Sequence, residues 1–127
     1  MEKIAPLLGR ILLSIIFLKA GFGKITNPAG TQQYMSAYGM PMAGFFLYCA
    51  IIIELGGGLS VLLGYKARWG ALTLALFLVP VTLIFHTKFA DQVQVVMFMK
   101  NLAIIGGLLM LTSAGPGPIS LDGRMRA

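Results

Sequence analysis

The chain is poor in charge, cysteine and histidine. Only 11% of its 127 residues are Asp, Glu, Lys or Arg, against roughly 25% in an ordinary soluble domain. One cysteine, Cys49, excludes an internal disulfide, a CxxC thiol relay and Cys-rich iron–sulfur or zinc sites. Cys49 reads instead as a small apolar residue near a helix end. One histidine, His86, cannot build a metal site alone. The net charge is +6, yet no basic run is interleaved with aromatics, so nucleic acid is not an expected partner.

What is present is apolar. Hydrophobic residues make up 57%, and the mean hydropathy is +0.86. These values describe a membrane protein. A spanning helix takes about 20 residues, so four would use about 80 and leave about 47 for tails and connections. No room remains for a soluble catalytic domain or a nucleotide-binding α/β unit.

The pattern predicts an all-α protein, a single membrane domain over 1–127 with helices at about 6–23, 42–64, 69–87 and 95–113. Lys3 and Arg10 followed by Ile11–Leu18 have the look of a signal peptide, but Lys19 interrupts the apolar run. The segment is therefore read as a retained first helix. Pro6 suits its first turn, where the missing N–H costs nothing. Asn27-Pro28 is a turn or helix-start signal. Residues 29–38 suit a short interfacial helix, with Tyr34 and Tyr38 as headgroup anchors. Helix packing is expected at small residues: Gly56, Ser60 and Gly64 at i, i+4, i+8, and Gly106-Gly107. Pro80 lies inside helix three and frees the Leu76 carbonyl.

Lys3, Lys66, Arg68, Arg124 and Arg126 fall on one side, with Arg10 close by; Lys24 and Lys88 fall on the other. The positive-inside rule then places both termini in the cytoplasm of a bacterial inner-membrane protein. Short connections make a four-helix antiparallel bundle the simplest architecture.

Ionisable groups inside a span cost about 2.5–3.5 kcal/mol each on insertion scales, so they need partners or a wet cavity. Glu54 is the one acidic residue within any predicted span. Lys19, His86, Lys100 and Asn101 share its half of the bundle. Arg10 and Lys19 are nine residues apart, which at about 100° per residue sets them on opposite faces. The expected pair is Glu54 with Lys19 or Lys100, with Arg10 snorkelling to the headgroups. Thr82 is a candidate partner for His86, four residues on. One reading of this cluster is a structural ion pair that fixes packing. The other is a ligand site, where surplus positive charge suits a quinone head group or a small oxyanion and Glu54 passes protons. No intrinsic cofactor is expected; a bound quinone is the candidate.

Several pieces follow one another in a telling order: Gly9-Arg10, Ala20-Gly21 with Lys24 and Asn27-Pro28, Glu54-Leu55-Gly56-Gly57 with Gly64, Lys100-Asn101-Leu102, and Pro116-Gly117 with Ser120-Leu121-Asp122. Together they make the chain resemble the DoxX family of small integral membrane proteins over nearly its whole length. The resemblance implies four membrane helices, with Arg10, Lys24, Glu54, Lys100 and Asn101 as the family's polar positions. It also implies an association with thiosulfate:quinone or thiol-stress chemistry. This chain has no thiol pair and no cofactor motif, so an accessory subunit of an oxidoreductase, drawing electrons from a partner, is expected rather than a self-sufficient enzyme. The alternatives are a non-catalytic assembly subunit, in a homo-oligomer or membrane complex, and a small anion or thiol transporter.

Overall fold

The computed structural model describes residues 3–85 and 89–126. Among these every regular element is a helix: α1 (Ile4–Thr26), α2 (Pro28–Ala37), α3 (Ala43–Leu63), α4 (Ala67–Phe85), α5 (Gln92–Ala114) and α6 (Leu121–Arg126). Four of them, α1, α3, α4 and α5, are long and apolar enough to cross a membrane.

Local chemistry sets the boundaries. Pro28 opens α2, and the Asn27 side chain accepts the Gly30 N–H, an N-cap that satisfies one orphan donor. Asp91 does the same for α5, accepting from Val93 N–H at 3.0 Å. Gly64 ends α3 in the left-handed region at φ 69°. There the Tyr65 N–H reaches back to the Ser60 carbonyl, as a Schellman stop requires.

The spans pack in sequence: α1 on α3, α3 on α4, and α4 on α5. Phe17, Val61, Leu74, Leu78, Leu108 and Leu111 form the central core. A second cluster of Met35, Leu47 and Phe85 seats α2 over one end of the bundle. The glycines that let helices approach differ in part from those expected. A Cβ on Gly57 would stand 2.7 Å from Leu74, and one on Gly58 would stand 2.9 Å from Leu18. Gly56 and Gly106 have no neighbour within 4 Å. A Cβ on Gly107 would come no closer than 3.5 Å to Leu13, an ordinary contact. Ser60 serves the turn, donating to the Tyr65 carbonyl at 2.7 Å. Of the expected i, i+4, i+8 stripe, Gly56 faces away, while Ser60 lies against Gly70 of α4 and Gly64 lies against Arg10 and Ser120; Gly57 and Gly58, beside Gly56, face in.

No pattern in the sequence marks α6 as a helix. Its residues fold back onto the other end of the bundle. Asp122 accepts the Lys66 and Ala67 N–H groups at 2.7 and 2.9 Å, and its own N–H donates to the Gly64 carbonyl at 2.8 Å. Pro6, at the start of α1, lies against Gly117. The start of α1, the α3–α4 turn and α6 thus share one side, as an antiparallel bundle with four crossings requires.

Candidate functional site

The side chains of α1 explain where the polar site forms. Arg10, Ser14, Phe17 and Gly21 are its buried residues. They recur at intervals of three and four, one inward stripe, and Lys24 is the next position on it. A helical side chain leans toward the N-terminus of its helix. Lys24, in the last turn of α1, is therefore directed back toward the bundle interior. Glu54 is buried midway along α3, and a Cβ on Gly21 would be 3.4 Å from its Cβ. The missing side chain at Gly21 lets this part of α3 come close to α1. Lys24 Nζ stands 2.7 Å from Glu54 Oε1. Among the described residues Oε1 has no further hydrogen-bond partner.

The carboxylate thus pairs with neither residue expected. Lys19 is exposed on the outer face of α1, five residues and about 140° around the helix from Lys24. Lys100 is half-buried on α5, and its Nζ contacts Met97 Sδ at 3.6 Å. That thioether is its one hydrogen-bond contact among the described residues. Asn101 is buried beside it and donates to Thr82 Oγ1 at 3.0 Å. This bond ties α5 to α4. His86 itself lies outside the described residues.

Arg10 also corrects the expectation. It is 2% exposed and does not snorkel. It donates from Nη2 to the Ile119 carbonyl, while Nε and Nη1 are buried with no hydrogen-bond partner among the described residues. Its electrostatic partner is Asp122. Arg10 therefore belongs to the C-terminal clamp at the opposite end from Lys24.

Lys24, Glu54, Lys100 and Asn101 line one cavity of about 850 Å³. The rest of its wall is mainly apolar. At the α2 end the wall is aromatic: the Tyr34 and Phe85 rings stack at 5.4 Å, and Tyr38 meets Phe85 edge-on at 5.0 Å. The sequence signalled Tyr34 and Tyr38 by their i, i+4 spacing, but as membrane-surface anchors. Their role as a cavity wall depends on Phe85 arriving from α4, which no local pattern shows. Burial pushes the Tyr34 hydroxyl up to about 12, with the Tyr38 contact adding to the shift. Chemically the cavity combines an apolar volume, a planar-ring surface, one ion pair and one further ammonium.

Comparison with known proteins fits this geometry. The DoxX family model matches residues 5–87. The chain belongs to the DoxX family. It is 49% identical over 122 residues to the inner membrane protein YqjF of Escherichia coli K12, covering 96% of this chain and 92% of that protein. It is 33% identical over 123 residues to the inner membrane protein YphA of the same organism, covering 93% and 88%. No solved structure matches it. This DoxX chain is accordingly a multi-pass inner-membrane protein. The family match includes Arg10, Lys24 and Glu54; Lys100 and Asn101 lie beyond the matched residues.

Proposed function

We propose that this DoxX protein is a quinone-linked component of the bacterial inner membrane, with its head-group site at Lys24, Glu54, Lys100 and Asn101. The observation that supports this reading is the charge balance within an apolar cavity. One carboxylate meets one ammonium at 2.7 Å, and among the described residues a second ammonium has only a thioether as hydrogen-bond partner. A cation left without an oxygen partner inside a spanning helix is costly. A ligand with carbonyl or anionic oxygens supplies what Lys100 lacks. The stacked Tyr34, Tyr38 and Phe85 rings suit a planar ring, since aromatic faces attract one another beyond simple burial.

In this reading Lys24 and Lys100 orient the ligand's oxygens, and Glu54 exchanges protons with the site. A bound quinone supplies the redox chemistry, taking up two electrons and two protons. The electrons come from a partner protein, because this chain carries no thiol pair. By the positive-inside rule we place the shared end of the bundle, with Lys3, Lys66, Arg68 and Arg124, in the cytoplasm. The cavity then opens toward the outer half of the membrane.

The test is mass spectrometry of small molecules retained by the protein in mild detergent, wild type against Glu54→Gln. A quinone held by wild type and lost from the folded variant supports the site. Ligand-free wild type, with no quinone bound on addition, counts against it.

A second reading, as an assembly subunit, is favoured by α5. Only 11% of its most apolar window is buried, against 22–28% for the other spans. Gly106 on it is open to a helix from outside. A hetero-complex or homo-oligomer that survives mild detergent supports this role, and a monomer with bound quinone argues against it.

A further inference from the structure

The spanning helices form an open row rather than a closed ring. Each packs along its neighbour from α1 through α3 and α4 to α5, but α1 and α5 meet only briefly. Their approach is at Leu13 and Gly107, where a Cβ on Gly107 would stand 3.5 Å from Leu13. Beyond that point α1 runs on through Ile16 and Ala20 to Lys24, and α5 runs back through Ile104 to Asn101 and Lys100. All six residues line the cavity. Ile16, Ala20 and Lys24 fall at i, i+4, i+8, one stripe of α1, and Lys100 and Ile104 fall at i, i+4 on α5, with Asn101 beside them. The cavity, backed by α3 and α4, is therefore flanked by these two stripes, and among the described residues no other spanning helix closes the gap between them.

The surroundings of this seam are apolar. Leu12 and Ile15 on α1 and Leu102 on α5 are exposed, and in a spanning segment exposed means lipid-facing. The polar groups sit at one end of the seam, at Lys24 and Lys100, and Ile16 and Ile104 continue it toward the middle of the bundle. A volume of about 850 Å³ is at the large end for one small ligand, and holds more than a single ring.

We propose that the α1–α5 seam is a lateral entrance from the bilayer, in which the ligand's hydrocarbon tail lies while its head reaches Lys24, Glu54 and Lys100. The ligand class is a polyprenyl-tailed quinone. This rests on the head-group reading above and adds the route and the seat of the tail. Passage along the seam takes the head group from lipid to the polar end without crossing water, and leaves the tail in an environment as apolar as the one it left.

The experiment plugs the seam with Ala20→Phe and, separately, Ile104→Phe, one on each wall. The full-length protein is placed in lipid nanodiscs and titrated with two benzoquinones sharing one ring, one decyl-tailed and one without a tail. Both variants are expected to weaken the tailed quinone by about tenfold, because the added ring occupies the space the tail needs while the head is bound, with the tail-less quinone little changed. Equal weakening of both quinones, or of neither, overturns the seam. Wild type that binds neither quinone sinks the head-group reading instead. The seam is then judged by a tryptophan at Ile53, which lines the cavity from α3, in a Trp69→Phe background. Quenching by bromine-labelled acyl chains that the plugs abolish supports it, and quenching unchanged by both plugs overturns it.

Discussion

Lys24 reaches back from the last turn of α1 to Glu54 in the middle of α3, closing a 2.7 Å ion pair at the polar end of the cavity. Removing one partner of a buried pair leaves the other charge stranded, at about 3–5 kcal/mol. Lys24 keeps 23% of its side chain exposed, so Lys24→Met is expected to cost about 3 kcal/mol, the lower end of that range. Lys24→Met combined with Glu54→Gln is expected to recover most of the loss. Lys19→Met, on the exposed face, is expected to stay within about 0.5 kcal/mol. Unfolding in a fixed detergent measures all four chains, and an equal loss from Lys19→Met contradicts the assigned pairing.

Asp122 makes a comparable connection at the other end. Its carboxylate takes two backbone N–H groups, from Lys66 and Ala67, at the start of α4. Lys66 sits at φ 49°, a left-handed conformation disfavoured for a residue with a side chain, and the bond to Asp122 holds it there. Asp122→Ala is expected to destabilise the protein by about 2 kcal/mol, the sum of a lost cap and a loosened turn. Asp122→Asn keeps one acceptor and is expected to lose about half as much. Thermal unfolding reads both; an unchanged midpoint for Asp122→Ala means the tail does not clamp the bundle.

Much of this was legible in the sequence. Apolar run lengths placed all four spans to within a few residues, because a span is a long signal with a fixed length. Pro28 and the Tyr34/Tyr38 spacing placed α2. The polar site was legible only in part. Glu54, Lys100 and Asn101, which share the cavity, stand out in the sequence because charged and amide groups are rare in a span. Lys24 was missed as the partner because depth was judged from position along the helix and not from the face. The stripe of Arg10, Ser14, Phe17, Gly21 and Lys24 carries that information at the helical period, and Lys19 lies off it. Gly57 and Gly58 could not be told from Gly56, since three adjacent glycines show no periodicity. The fold-back of Ser120-Leu121-Asp122 is a contact between residues more than fifty positions apart, which no local pattern reports.

The glycines give a paired test of helix approach. Gly57→Ala places a methyl 2.7 Å from Leu74, where something must move; overpacking of this kind costs about 1–3 kcal/mol. Gly56→Ala points into open space and is expected to stabilise α3 by up to about 1 kcal/mol through helix propensity alone. Chemical unfolding of the two variants in one detergent separates them. Equal behaviour contradicts the α3–α4 contact at Gly57.

Tyr34 supplies a prediction about pH. Its hydroxyl is raised from 10.0 to about 12, first by loss of water and then by Tyr38. The folded state holds the proton more tightly than the unfolded one. The stabilisation is therefore complete below the ordinary value of 10.0 and is lost as pH rises from there to about 12. An ultraviolet titration of the four tyrosines is expected to show one late component, absent from Tyr34→Phe. A titration whose last component is unchanged in that variant contradicts the assignment.

Lys100 separates stability from binding. Among the described residues its ammonium contacts a thioether within a spanning helix, where an ionised side chain is costly to insert. Lys100→Leu removes the charge and keeps most of the apolar stem. The empty variant is expected to be as stable as wild type or more stable by about 1 kcal/mol, the pattern of a functional residue held at a cost to stability. The same variant is expected to lose the rise in unfolding temperature that a tailed quinone gives wild type, since that rise is set by binding to the folded state alone. Both quantities come from one pair of melts, with and without quinone. A less stable Lys100→Leu that keeps the full quinone-dependent rise makes Lys100 a structural residue, and leaves Lys24, Glu54 and Asn101 to carry the site.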